Sequence, residues 1–101
     1  MDRRIQDAVL RILLNDVGHF EQIVGDLNRS VQREATPITR QETTDAVSEL
    51  IGTGFAEAYL LSQKPPLFIK VDFDPVRLHE LWFQLTPEGE KFARELIRQM
   101  Q

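Results

Sequence analysis

With 101 residues, a formal charge of −4 and no cysteine, the chain has room for one domain and one core, and it excludes disulfides, thiolate metal sites and cysteine nucleophiles. Its 42% hydrophobic and 28% charged residues are the balance of a folded globular protein rather than a disordered one. The densest early apolar run, Val9 to Leu14, is broken by Arg11 and is too short to span a bilayer or to form a signal-peptide core. Cytoplasmic residence without a membrane partner is therefore expected.

The first helix is expected over residues 3–15, where Ile5, Ala8, Val9, Ile12 and Leu13 recur with a helical period and form one stripe. Asn15 to Gly18 reads as a break. A second helix over 19–29 places Phe20, Ile23, Val24 and Leu27 on one face, and the polar stretch up to Pro37 connects it to the next element. The third helix, over 40–53, has the clearest start. Thr39 and Glu42 have the spacing of a capping box, in which each side chain satisfies the other residue's backbone N–H. Ala46, Val47, Leu50 and Ile51 form its buried stripe, and Gly52 and Gly54 are stop signals.

Strand character follows. Residues 55–61 make a short strand before the turn-forming Ser62 to Pro66, and residues 67–73 alternate apolar Leu67, Ile69, Val71 and Phe73 with Phe68, Lys70 and Asp72. Asp74 and Pro75 break the pattern. A third strand over 80–85 alternates Leu81, Phe83 and Leu85 with Glu80, Trp82 and Gln84. Thr86, Pro87 and Glu88 then open a helix over 87–100 as N-cap, first-turn proline and first-turn acid. Phe92, Leu96, Ile97 and Met100 form its apolar face. The class is α+β, mostly α, in one domain over residues 1–101.

Leu81 to Glu90, a Trp-bearing strand running into Leu-Thr-Pro-Glu-Gly, resembles the last wing strand and following helix of PadR- and MarR-type regulators. Leu50 to Phe55 is similar to the point where the recognition helix of those families ends in glycine and enters the wing. The resemblance implies a winged helix-turn-helix: three helices, a β-ribbon wing with a long tip, and a C-terminal helix. It further implies transcription regulation, a homodimer and double-stranded DNA as partner. Whether the strand over 67–73 pairs within the chain or across the dimer is open.

If the third helix reads a major groove, the contacts fall to Arg40, Gln41, Thr44 and Ser48, with Arg33, Lys64, Lys70 and Arg77 (and Arg29) around the rim for phosphate. The local charge opposes this. Between Val31 and Leu61 two arginines face five acids, and Asp45 and Glu49 form an acidic ridge at helical spacing. The alternative is a protein-interaction or dimerisation module without duplex binding. There Asp45 and Glu49 suit a basic protein partner, and Phe68 and Trp82, on the faces opposite their strands' apolar sets, form an aromatic patch.

No enzyme, cofactor or metal is expected. His19 and His79 have no ligand-spaced partner, His19 reading as a residue at the start of the second helix and His79 as a strand-end residue. Asp72, Asp74 and Glu80 have no EF-hand-type loop around them, and Asp74-Pro75 reads as turn chemistry.

Overall fold

In the computed structural model, which describes residues 3–15, 17–30, 37–65 and 67–99, the first element is α1, Arg3–Asn15. Its expected stripe is buried apart from half-buried Ile12, and Leu10, which lies off the stripe, is buried as well. The reason is position: α1 is packed by α2 (Phe20–Ser30), α3 (Arg40–Gly52), α4 (Pro87–Gln99) and a strand, so more than one of its sides faces apolar neighbours.

The molecule is mostly helical with a four-stranded antiparallel sheet, β1 (Gly18–His19), β2 (Ala56–Leu61), β3 (Phe68–Val71) and β4 (Leu81–Leu85), in the order β1-β4-β2-β3. β1 has only two residues and was not expected from periodicity. His19, expected inside the second helix, instead pairs with Trp82 in β4 and caps α2. The Glu21 N–H donates to His19 Nδ1 at 3.2 Å, and Nε2 lies 2.7 Å from the carbonyl oxygen of His79. These partners assign the Nε2–H tautomer.

Two local devices set α3. The Thr39–Glu42 capping box is present at its start, with the Glu42 N–H donating to Thr39 Oγ1 at 3.0 Å. Asn28 on α2 braces the approach, accepting from the Ile38 N–H at 2.7 Å and donating to the Val24 and Ile38 carbonyls. At the other end Gly54, with φ of 84°, makes the turn. The Gly54 N–H bonds to the Ile51 carbonyl at 3.1 Å and the Phe55 N–H to the Leu50 carbonyl at 2.9 Å, the paired bonds of a Schellman motif.

The strand expected over 67–73 pairs within the chain, antiparallel to β2, with Leu61 opposite Phe68 and Ala58 opposite Val71. It ends at Val71 rather than Phe73, because β3 and β4 flank β2 on opposite sides and the chain must cross between them. Asp74 starts the crossover by accepting from the Val76 N–H at 3.0 Å, and a 3-10 helix, Pro75–Glu80, follows. Phe73 leaves the ladder to pack its ring 6.2 Å from that of Phe83, and Leu78 also packs against the core.

α4 is held by the Thr86 hydroxyl, which donates to the Gly54 carbonyl at 2.6 Å and accepts from the Gly89 N–H at 3.0 Å. Gly89 then sits against the backbone of Phe55. A Cβ at this position would overlap the Phe55 carbonyl oxygen and come within 2.8 Å of its carbon. The Phe55 and Phe92 rings stack 4.9 Å apart over the same junction. The Leu-Thr-Pro-Glu-Gly run thus has a mechanical meaning: one hydroxyl caps the helix and ties it to the β2 entry, and one glycine lets the two backbones touch. Of the expected apolar face, Phe92, Leu96 and Ile97 are half-buried and Met100 lies outside the described residues, while Ala93, which was not expected in it, is fully buried.

Candidate functional site

Alternation divides the sheet into two unlike faces. Ala56, Ala58, Leu81, Phe83 and Leu85 point into the core, where Phe20, Leu10, Ile23 and Val47 meet them. Their sequence neighbours Glu57, Tyr59, Trp82 and Gln84 point the other way, joined by His19 from β1 and by Phe68 and Lys70 from β3. Every side chain on this outer face is half-buried or exposed, and none of its rings joins the core cluster.

The rings contact one another edge to face. His19 and Trp82 lie 5.1 Å apart between centroids, Trp82 and Phe68 5.6 Å, and Phe68 and Tyr59 6.5 Å. Such geometry sets the positive ring edge against the negative face of its neighbour. A polar rim closes the cluster at β2 and β3. The Tyr59 hydroxyl donates to Glu57 Oε2 at 2.6 Å, and the Lys70 ammonium pairs with Glu57 Oε1 at 3.1 Å. The Tyr59 hydroxyl and then Lys70 hold the Glu57 carboxyl below its ordinary range, and the Glu57 carboxylate pushes the Tyr59 phenol up to about 12.

The outer face of α3 is different. Gln41, Ser48 and Glu49 are exposed and Asp45 is half-buried, with Gln41 Nε2 donating to Asp45 Oδ1 at 2.9 Å. Thr44, expected as an outward donor, is buried, and its hydroxyl donates back to the Arg40 carbonyl at 2.7 Å. Its position in the helix turns it toward the core side, so it is not available to a ligand.

The expected phosphate contacts are dispersed and mostly neutralised. Arg40 pairs with Glu21 of α2 and lies 5.2 Å over the Phe20 ring. Arg29 pairs with Asp26, Lys70 with Glu57, and Arg77 with Glu80 at 2.8 Å. The pairing with Arg77 holds the Glu80 carboxyl below its ordinary range and raises the arginine in turn. Lys64 is exposed at the tip, where its N–H donates to Ser62 Oγ at 3.3 Å. Arg33 lies outside the described residues. Exposed pairs of this kind are screened by water and can be broken by a ligand, but each leaves its carboxylate behind.

The structure therefore brings Phe68 and Trp82 together and keeps the cations apart. Two members of the aromatic face were missed in the sequence. Tyr59 was legible, since it alternates with Ala58 and Leu60 as Trp82 does with its neighbours. His19 was not, because a two-residue strand has no period. Among the described residues no helix is long and apolar enough to cross a membrane, and no cluster of His, Asp or Glu is placed to hold a metal ion.

Comparison with protein-family models, curated proteins and solved structures found no match.

Proposed function

We propose that this chain is a winged-helix domain working by protein contact, with the outer face of its sheet as the contact surface. The fold part of this reading takes its support from the resemblance of Leu50 to Phe55 and Leu81 to Glu90 to PadR- and MarR-type regulators. It is compatible with an order of three helices, a hairpin and a closing helix. The surface part rests on one observation. Four aromatic side chains, His19, Tyr59, Phe68 and Trp82, stand half-buried on a face outside the core, while α3 turns carboxylates outward. Aromatic rings with polar handles are what protein interfaces concentrate at their centres.

Site-specific photocrosslinking in cells expressing the protein tests this. A benzophenone side chain in place of exposed Gln84 samples the outer sheet face, and one in place of Ser48 samples α3. Protein adducts at Gln84 and none at Ser48 are expected. Nucleic-acid adducts at Ser48 with an empty Gln84 would reverse the assignment.

Duplex binding is the second reading, favoured by exposed Gln41 and Ser48 on α3 and by exposed Lys64 at the hairpin tip. In a homodimer it needs two third helices roughly 34 Å apart. Electrostatic binding is strongest at low salt, so fluorescence anisotropy of a labelled duplex under that condition is the decisive assay. No binding is expected of the native chain. Asp45→Lys with Glu49→Lys should create it if the acidic ridge is the obstacle, and should abolish binding of a labelled oligolysine if that ridge serves a basic protein segment.

A further inference from the structure

The sheet has two edges. β1 offers two residues, and β3 offers four, Phe68–Val71, with no strand beyond it among the described residues. The Ser62 N–H donates to the Leu67 carbonyl at 2.6 Å, which fixes how the backbone of this strand alternates. Leu67, Ile69 and Val71 turn their N–H and C=O groups toward β2, so Phe68 and Lys70 turn theirs away, along the free edge.

Edges of this sort are normally blunted by charge, proline or a bulge. Here the one charge on the strand does not guard it, because the Lys70 ammonium is drawn onto the sheet face by Glu57. The side chains beside the edge are apolar: Leu67 is 56% exposed and Ile69 47%, two of the four exposed large hydrophobic residues among the described residues.

We infer that β3 pairs antiparallel with β3 of a second copy of this chain about a two-fold axis at Ile69, doubling the sheet. Two-fold symmetry restricts the registers, since outward-facing residues must meet outward-facing residues. An axis at Phe68 leaves only Phe68 paired within the two strands, since Lys70 then lies opposite a position before the strand begins, and forfeits hydrogen bonds. An axis at Lys70 sets two ammonium groups directly opposite each other, which is repulsive. The axis at Ile69 avoids both. Phe68 then faces the partner's Lys70, an aromatic ring beside a cation, and Leu67 faces the partner's Val71. The sequence Leu-Phe-Ile-Lys-Val is self-complementary about its centre in a way that a foreign peptide would match only by chance.

The same register carries the outer aromatic face across the axis, because directly opposed residues share a face. A four-residue ladder buries little area, so the dimer is weak and concentration-dependent. The inference does not depend on what the outer face binds.

The absence of native cysteine makes the test direct. In this register the two Ile69 side chains form a non-hydrogen-bonded pair with Cβ atoms roughly 5 Å apart. Ile69→Cys in the full chain should therefore oxidise to a crosslinked dimer much faster than Leu61→Cys, a control at a somewhat more exposed position. Light scattering with dilution should show a monomer–dimer equilibrium in the native protein. Lys70→Pro removes an outward N–H from each copy without touching the β2 ladder, and should raise the dimer Kd by roughly tenfold or more. Lys70→Ala keeps that N–H and loses only the ring–cation contact, so it should raise the Kd clearly less than Lys70→Pro, and circular dichroism checks that both variants stay folded. A strictly monomeric chain, equal crosslinking at the two cysteines, or a dimer indifferent to Lys70→Pro would each overturn the pairing.

Discussion

Tyr59 is the only tyrosine in the chain, and its hydroxyl is bound to a single carboxylate. Tyrosinate absorbance during a base titration therefore reports this one group. The midpoint is expected at about 12 rather than at the ordinary 10.0, because the Glu57 carboxylate accepts the phenol proton's hydrogen bond and repels the phenolate. Glu57→Gln should bring it down toward the ordinary value. A phenol with a raised folded value contributes its stability in full below pH 10.0 and loses it as the pH climbs through about 12. Glu57 runs the opposite way. Its lowered carboxyl contributes above its ordinary 4.5 and gives that contribution up as the pH falls through its folded value. Base and acid unfolding curves of Glu57→Gln against the native chain should accordingly converge at both extremes and separate in between.

Among the elements, α4 shows how a local signal and a tertiary contact share one residue. Glycine inside a helix is normally about 1 kcal/mol worse than alanine. Gly89→Ala should nevertheless destabilise, by roughly 2–3 kcal/mol in urea denaturation, because the new methyl group meets the Phe55 backbone, which has little room to move. A gain in stability would mean that the close approach is not real. Thr86→Ala should cost about 1–2 kcal/mol, since it removes the N-cap and strands the Gly54 carbonyl, and Thr86→Ser should recover most of it.

The helix signals were legible for a physical reason. Caps, first-turn acids and a 3.6-residue stripe act over a few neighbouring positions, so Thr39, Glu42, Thr86 and Pro87 announce their helices without help from the rest of the chain. β1 left no such mark, nor did the early end of β3. Gly18 and His19 form a strand only because β4 lies beside them, and Phe73 leaves its strand only because Phe83 is within reach. Thr44 failed as a surface residue because the edge of a helical stripe depends on which neighbours pack there, a matter decided by α1 and α2 rather than by α3.

At the scale of the whole molecule, the two faces of one strand provide the sharpest contrast. Phe83 is fully buried among Phe20, Phe73 and the helices, and Phe83→Ala should cost about 4 kcal/mol. Trp82, the next residue and a larger one, should cost only roughly 1–2 kcal/mol as Trp82→Ala, through its ring contacts with His19 and Phe68. Denaturant unfolding of the two variants would show whether the outer face is part of the core or a surface kept for something else. If Trp82→Ala proved as damaging as Phe83→Ala, that face would belong to the core.

The sequence by itself determined the four helices, the caps of α3 and α4, the three longer strands and the alternation that puts Phe68 and Trp82 off the core. All of these follow from short-range periodicity and backbone hydrogen-bond demand. It also determined the acidic character of α3, which no folding can change. Only the tertiary structure decided that Arg40 and Lys70 would each meet a carboxylate, because their partners, Glu21 and Glu57, come from whichever element folds alongside. It alone gathered His19, Tyr59, Phe68 and Trp82 from four strands onto one face. It also left the Phe68 and Lys70 backbone at a free edge, since a strand becomes an edge only when no other strand is beside it.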